Sequence, residues 1–343
     1  MSVDVPTVLA IGGGSEAMPV LRALTRLPVR LVVADGRPDA PGFNVAAAGL
    51  LGATLDAESM IEAARAYENR RAIDAVLWTA RPMAVTSAAV AAALGLPGMP
   101  PGVAVTLADR VLVQQRLHDA GIVVPDTRAL DGPTSLATIV ASEGRPMAVK
   151  PVDSWGARGV VRVGPGDDLG WAYRVAAAAS STGRVLAQRF VGGRALSVVA
   201  LVIGDQPVVV DVSERSEEAH ARFAPFLIDA GHQGPSAIDA AGRARLEGLL
   251  AEVVGVLGLR DTVLTAELRA DGDDLVVVDL HAGLTCGRRL ACEIPLATGI
   301  DVVAGALGIA LGEPPTRESL MPRWRRSVAE RGCFPSPGTV LEI

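Results

Sequence analysis

The chain has 343 residues, half of them apolar and a fifth charged, with a formal net charge of −6. Such a composition gives two or three globular domains with ample cores, and the acidic balance leaves no basic footprint for nucleic acid or an anionic membrane surface. Three cysteines, Cys286, Cys292 and Cys333, form no CxxC pair, which argues against both a disulfide framework and a zinc site.

The N-terminal Met-Ser-Val-Asp-Val-Pro has no basic n-region or cleavage motif, and the apolar runs Ser197–Ile203 and Val302–Leu311 are too short for a bilayer. A cytoplasmic location is the default expectation. Val8–Ile11 reads as a buried strand, Gly12-Gly13-Gly14-Ser15 as a tight turn, Glu16–Leu27 as a helix and Val29–Ala34 as a second strand. This βαβ start predicts a parallel sheet. Asp56–Asn69 reads as a helix, Ala75–Thr79 as a strand and Met83–Leu94 as an alanine-rich helix, so residues 1–100 form a Rossmann-like α/β domain. The glycine turn lacks the G-x-G-x-x-G spacing of a dinucleotide site, and a structural turn is its stronger reading. Asp35 reads either as a ribose-binding acid or, with Gly36-Arg37-Pro38, as a turn starter.

Leu96-Pro-Gly-Met-Pro-Pro-Gly102 is punctuation and marks a domain boundary. Asp109–Ala120 follows as an amphipathic helix closed by Gly121, and Ile139–Ser142 ends another helical segment. Met147–Val163 then reads as a strand ending in Lys150, a small-residue loop with Gly156 and Gly159, and a second strand. Glycines let backbone N–H groups approach a phosphate and a strand-edge lysine adds fixed positive charge, the outline of a triphosphate cradle. It is not a P-loop, since no G-x-x-x-x-G-K-[ST] occurs. An ordinary hairpin with a solvated Lys150 is the alternative.

Leu169–Ser180 reads as a helix, Val185–Val191 as a strand, Ala195–Ile203 and Gln206–Val212 as a hairpin, and Ala240–Leu257 as a long helix. Val263–Arg269 and Leu275–Leu280 form a second hairpin around Asp271-Gly-Asp-Asp274, which sets Glu267 and Asp279 side by side. Paired carboxylates call for a cation, and hard oxygen ligands on strands suit Mg²⁺; two solvated strand acids are the alternative.

The Lys150 hairpin and the paired acids together resemble the ATP-grasp superfamily, and further segments extend the likeness from Val8 to Pro337. Asp109-Arg110 leading to Ala120-Gly-Ile-Val-Val-Pro125 is similar to the family's Asp-Lys…Gly-Ile-x-x-Pro. Leu186-Ala-Gln-Arg-Phe-Val-Gly-Gly193 resembles its hinge strand, and Ala297-Thr-Gly-Ile-Asp301 with Leu311-Gly312 its closing helix. The N-terminal domain resembles the pre-ATP-grasp domain of biotin carboxylase, purine-biosynthetic enzymes and bacilysin-type amino-acid ligases, and Phe226–Ile238 looks most like the amino-acid ligases. The resemblance implies a mixed α/β and α+β fold. Its parts are a pre-ATP-grasp domain (residues 1–100), an ATP-grasp lobe with the phosphate flap (101–187), and a second lobe with the metal site and C-terminal segment (188–343).

It also implies ATP and Mg²⁺ as cofactors and a carboxylate attacking the γ-phosphate, the resulting acylphosphate being captured by an amine. Lys150 and Arg110 would meet the phosphates, Gly156 and Gly159 the flap's ligand, and Gln188, Arg189, Phe190 and Val191 the adenine. Glu267 and Asp279 would hold Mg²⁺, with His281 where the family has a ligating amide. Gly283 stands where an arginine usually clamps the acylphosphate, so Arg288 or Arg289 is the candidate replacement. His232 could donate to a developing oxyanion or be a satisfied buried histidine. Arg110 replaces a lysine, Gln188 a common glutamate, and Trp155 brings a bulky ring to the flap.

The expected function is a ligase joining a small carboxylate, an amino acid or related acid, to an amine, without nucleic-acid or membrane partners and with homodimerisation usual among relatives. The departures at His281 and Gly283 support an alternative, a degenerate member that binds nucleotide or a partner without turnover. A nicotinamide oxidoreductase rests on the glycine turn and Asp35 alone.

Overall fold

A computed structural model of the chain describes residues 5–68, 71–272, 274–285, 287–334 and 339. Cys286, the helix-ending Asn69, Asp273 of the predicted turn and the 335–338 end of the family likeness lie outside the described residues.

Strands β1 (Thr7–Ile11), β2 (Arg30–Asp35), β3 (Ala48–Leu51) and β4 (Ala75–Trp78) form a parallel sheet in the order β3-β2-β1-β4. β1 is buried at every position, as a strand covered by helices on both faces must be. Leu9, Ile11, Val32 and Ala34 face α2 (Ala57–Glu68) and α3 (Ala84–Ala93). Val8, Ala10 and Val33 pack in the opposite core with α1 (Met18–Leu24). The predicted helix over 16–27 is shorter, with a 3₁₀ turn at Ser15–Ala17, and Pro28 biases the residue before it away from helix. Asp35 braces the glycine turn: Gly13 N–H donates to its Oδ2 at 2.7 Å and Arg37 N–H to its Oδ1 at 3.0 Å. This is the turn-starter role, and it ties up the carboxylate that a ribose site would need.

The proline-rich boundary opens a helix, α4 (Pro101–Ala108), because proline suits the first helical turn. Asp109 caps the next, α5 (Arg110–Asp119), its Oδ1 accepting from Val111 and Leu112 N–H at 2.9 and 3.1 Å. A small lobe follows, with β5 (Thr127–Leu130), β6 (Met147–Pro151), β7 (Val161–Val163) and β8 (Val185–Arg189) in the antiparallel order β5-β8-β6-β7. α6 (Pro133–Glu143) and α7 (Leu169–Ala179) complete its separate core.

The large lobe holds β9 (Arg194–Ile203), β10 (Gln206–Arg215), β11 (His232–Gly234), β12 (Thr262–Asp271), β13 (Asp274–Ala282) and β14 (Val328–Ala329), ordered β13-β12-β9-β10-β11-β14. Val198, Ala200 and Val202 of β9 share a core with α9 (Ala240–Leu257), α4 and α5. Sequence places α4 and α5 with the flap lobe, whereas their apolar faces pack on the large sheet. Val199 and Leu201 point the other way, toward α11 (Val302–Ala310), in a core that also contains Val8, Ala10 and Val33. N-terminal domain and large lobe are therefore fused through a common core. Among the described residues no helix is long and apolar enough to cross a membrane.

Candidate active site

The two lobes and the N-terminal domain enclose a cleft of about 450 Å³. Lys150 enters from β6, where it pairs with Leu186 of β8, and its ammonium donates to Gln188 Oε1 at 2.6 Å. Gln188 Nε2 in turn donates to Thr127 Oγ1 at 3.0 Å, which fixes the amide's orientation. On the facing wall Glu267 of β12 is in register with Asp279 of β13, and a bulge follows Glu267.

Asp279 is an ion-pair hub. Arg81 Nη1 donates to both its oxygens at 2.9 and 3.0 Å, Arg110 Nε to Oδ2 at 2.9 Å, and Leu280 N–H to Oδ1 at 3.0 Å. Burial alone would raise its pKa, but Arg110, Arg81 and Lys150 outweigh this and hold the carboxyl well below its ordinary value. Glu267 is also held below its ordinary value: against burial act Arg215, His281, Arg289 and the Ser197 hydroxyl. Arg215 Nη1 donates to its Oε2 at 3.0 Å and Ser197 to its Oε1 at 2.8 Å. Both acids are ionised at neutral pH. His281 is lowered to about 4, first by burial and then by Arg81, and is neutral there.

The flap between β6 and β7 has two unlike glycines. Gly156, at φ +66°, has open space where a Cβ would stand and lines the cleft. Gly159, at φ +71°, is different: a Cβ would lie 2.6 Å from that of Ala179 and 3.1 Å from Pro151 Cγ. Gly159 is absent from the cleft wall, and its role is close packing of the flap against α7 rather than a share in a phosphate cradle. Arg158 stacks 4.8 Å from the Trp155 ring centroid and pairs with Glu16 at 3.1 Å, tying the flap to the N-terminal glycine turn. The indole N–H of Trp155 and Nε of Arg81 and Arg189 are buried donors without a hydrogen-bond partner. Unpaired donors around a basic cleft call for an anionic ligand.

Residues 107–280, half of the chain, match the family model described as the ATP-grasp domain. The chain belongs to the ATP-grasp family. Its parallel-sheet N-terminal domain and antiparallel-sheet lobes are those of an ATP-grasp fold. The chain is 28% identical to the D-alanine–D-alanine ligase of a Synechococcus strain over 187 residues, 53% of this chain and 56% of that protein. It spans about half the length of the curated relatives it matches. Its structure resembles the L-amino acid ligase of Bacillus licheniformis with a TM-score of 0.77 at 19% identity, over 92% of this chain and 77% of that one. It also resembles the biotin carboxylase domain of the Hydrogenobacter thermophilus 2-oxoglutarate carboxylase, solved with MgADP (TM-score 0.74, 18% identity, 92% and 72% coverage). These structural likenesses establish the ATP-grasp fold.

Within this ATP-grasp site, Arg110, Lys150, Gly156, Gln188, Arg189, Phe190, Val191, His232, Glu267, Asp279 and His281 all line the cleft. Arg288 and Arg289 do not. Arg288 is exposed and pairs with Glu330 at 3.0 Å. Arg289 is buried, donating to Asp211 Oδ2 at 2.5 Å and to the Ser197 carbonyl at 2.6 Å, so neither replaces a cation at position 283. Gly283 itself has φ +90°, and a Cβ there would come 2.2 Å from the indole nitrogen of Trp78. The indole occupies the place of a side chain and donates to the Ala282 carbonyl at 3.0 Å.

Sequence reasoning misses Arg81 and Arg215. Arg81 follows β4 on a short turn, and the C-terminal end of a parallel strand is where such folds present ligand-binding groups, so that signal was available. Arg215 ends β10 without any local cue.

The residues suit the two implied cofactors unequally. Surplus buried donors suit a triphosphate. For Mg²⁺, Glu267 accepts one hydrogen bond on each oxygen and retains acceptor capacity, whereas both Asp279 oxygens already accept two donors each. Both are hard, ionised oxygen ligands of the kind Mg²⁺ takes, but Asp279 has no acceptor site to spare while Arg81 and Arg110 hold it.

Proposed function

We propose that the chain is an ATP- and Mg²⁺-dependent ligase that joins a small carboxylate, an amino acid or related acid, to an amine through an acylphosphate. The observation that carries this reading is the pairing of Arg110 and Arg81 with Asp279, with Lys150 within electrostatic reach of the same carboxylate, opposite Glu267 and beside the open face of Gly156. Phosphoryl transfer asks a protein mainly for positioning and charge neutralisation. Lys150, Arg110 and Arg81 would meet the phosphates, and the Gln188–Val191 strand the adenine. Glu267 and Asp279 would hold Mg²⁺, which when bound offsets phosphate charge. Arg215, on the Glu267 side of the cleft, is the cation placed to neutralise a substrate carboxylate or its acylphosphate. His232 lines the same wall, 3.7 Å from Asp229; burial first, then Arg289, lowers its pKa, so a neutral imidazole faces the substrate. Location in the cytoplasm and assembly as a homodimer belong to the same reading.

Trapping decides between the ligase and the non-ligating alternative. With ATP, Mg²⁺, hydroxylamine and a panel of amino and hydroxy acids, the ligase gives a hydroxamate and stoichiometric ADP. Folded, metal-loaded protein that binds ATP but yields neither product with any acid is the non-ligating member.

Nucleotide affinity should also depend on pH through Lys150. Burial pulls its pKa from 10.5 down to about 8, against the opposing pull of Asp279. The ammonium is charged at pH 7 and is lost as pH rises through about 8. Since phosphate needs the charged form, affinity for ADP should be flat below that point and fall by up to about tenfold per pH unit above it. Lys150→Arg, charged throughout, should flatten the profile in calorimetric titrations. A wild-type profile that stays flat to about pH 9.5 would remove Lys150 from the phosphates.

A further inference from the structure

Behind the His232 wall, three side chains from separate segments converge. Among the described residues, His232, Glu293 and Glu330 bring one ligand atom each within 4.8 Å of one another. The arrangement follows from the fold. Gln233 of β11 pairs with Ala329 of β14, and Glu330 N–H donates to the His232 carbonyl at 2.8 Å, so His232 and Glu330 meet at the end of that ladder. Glu293 is delivered by a π-helical turn, Arg289–Glu293, a rare conformation that is frequent at functional sites.

Two atoms of the cluster lack a hydrogen-bond partner. His232 Nδ1 and Glu293 Oε1 are shielded from solvent and make no hydrogen bond. Glu330 Oε2 lies 4.0 Å from His232 Nδ1, while its Oε1 is held by Arg288 at 3.0 Å. The other imidazole nitrogen, Nε2, faces Asp229 Oδ2 at 3.7 Å, outside hydrogen-bond range. Asp229 is itself fixed by Arg215 at 3.2 Å. Two neighbouring carboxylates and an unpartnered imidazole nitrogen, converging within 4.8 Å, describe a candidate cation site. The mixed nitrogen and oxygen set suits a borderline divalent transition metal better than Mg²⁺.

We infer that His232, Glu293 and Glu330 form a second metal site, for a zinc-like divalent ion, distinct from the Glu267–Asp279 pair and independent of the ligase reading. Three protein ligands leave at least one position open, and His232 also lines the cleft, so the ion would stand at the border of the substrate space.

The test uses the full-length chain stripped with a chelator and titrated calorimetrically with Zn²⁺ alone, without nucleotide. One equivalent should bind, and the near-isosteric Glu293→Gln and the His232→Ala variants should each weaken it at least tenfold. Glu267→Gln should bind as wild type. Co²⁺ should give visible absorption bands in the wild type that Glu293→Gln lacks, and this variant's retained circular dichroism would exclude misfolding as the cause. The competing arrangement is a proton shared by the two glutamates, consistent with Glu293 being raised to about 8 by burial and by its hydrogen bond with Glu330. No stoichiometric Zn²⁺ binding, or binding lost in Glu267→Gln but kept in Glu293→Gln, overturns the inference.

Discussion

Asp279→Asn is expected to destabilise the protein by about 3–5 kcal/mol, the range for removing one partner from a buried charge cluster. Asparagine keeps the shape but leaves Arg81, Arg110 and Lys150 without their shared anion. The guanidinium of Arg81 is already disfavoured there, first by burial and then by Arg110. Chemical denaturation should show the loss as an earlier transition, and Arg81→Met in the Asp279→Asn background should recover part of it, a non-additive cycle. Because the Asp279 pKa is depressed in the folded state, its contribution is complete above the ordinary carboxylate range and is lost as pH falls through the folded value. Full stability in Asp279→Asn at neutral pH would show that the arginines are neutralised elsewhere.

Lys150→Met separates binding from stability. Loss of a charge-assisted contact to phosphate should weaken ATP binding by about tenfold to a hundredfold, corresponding to about 1.5–3 kcal/mol. The same change should leave folding stability unchanged or higher. A lysine whose pKa falls from 10.5 to about 8 is charged at neutral pH at a cost of roughly 3 kcal/mol to the folded state, and methionine removes that cost while filling the same space. Calorimetric titration with ATP and a denaturation curve on the same sample check both halves. Unchanged ATP affinity would place Lys150 outside the nucleotide site.

The sequence made the strand-borne part of the site readable, and the reason is geometric. A β-hairpin fixes which residues face one another, so Glu267 and Asp279 follow from spacing around a turn, and Lys150 from its place before the flap. Helix Ala240–Leu257 was equally plain, since Asp239 caps it and Gly258 takes the left-handed conformation at its end. Residues whose partners lie far along the chain left no such mark. Arg81 meets Asp279 across 198 positions, and its place just past the C-terminal end of β4 is the one hint of a role that it carries. Arg288 and Arg289 looked suitable because they lie near Gly283 in sequence, but the π-helical turn carries Arg289 behind the wall, to Asp211. Gly159 matched the flap pattern for the wrong physical reason: closeness to Ala179 demands glycine there, whether or not a ligand is bound.

Trp78 and Gly283 constrain the history of this site. With the indole pressed onto position 283, an arginine could not be acquired there in one step, because any side chain would meet the ring before it reached the cleft. The ring would have to shrink first, surrendering the bond to Ala282 that joins β4 to β13. The two positions are therefore coupled in one direction: tryptophan at 78 excludes a side chain at 283, and only a smaller residue at 78 would lift the exclusion. While tryptophan stands at 78, a cation for this part of the cleft has to come from another element, as Arg215 does from the end of β10.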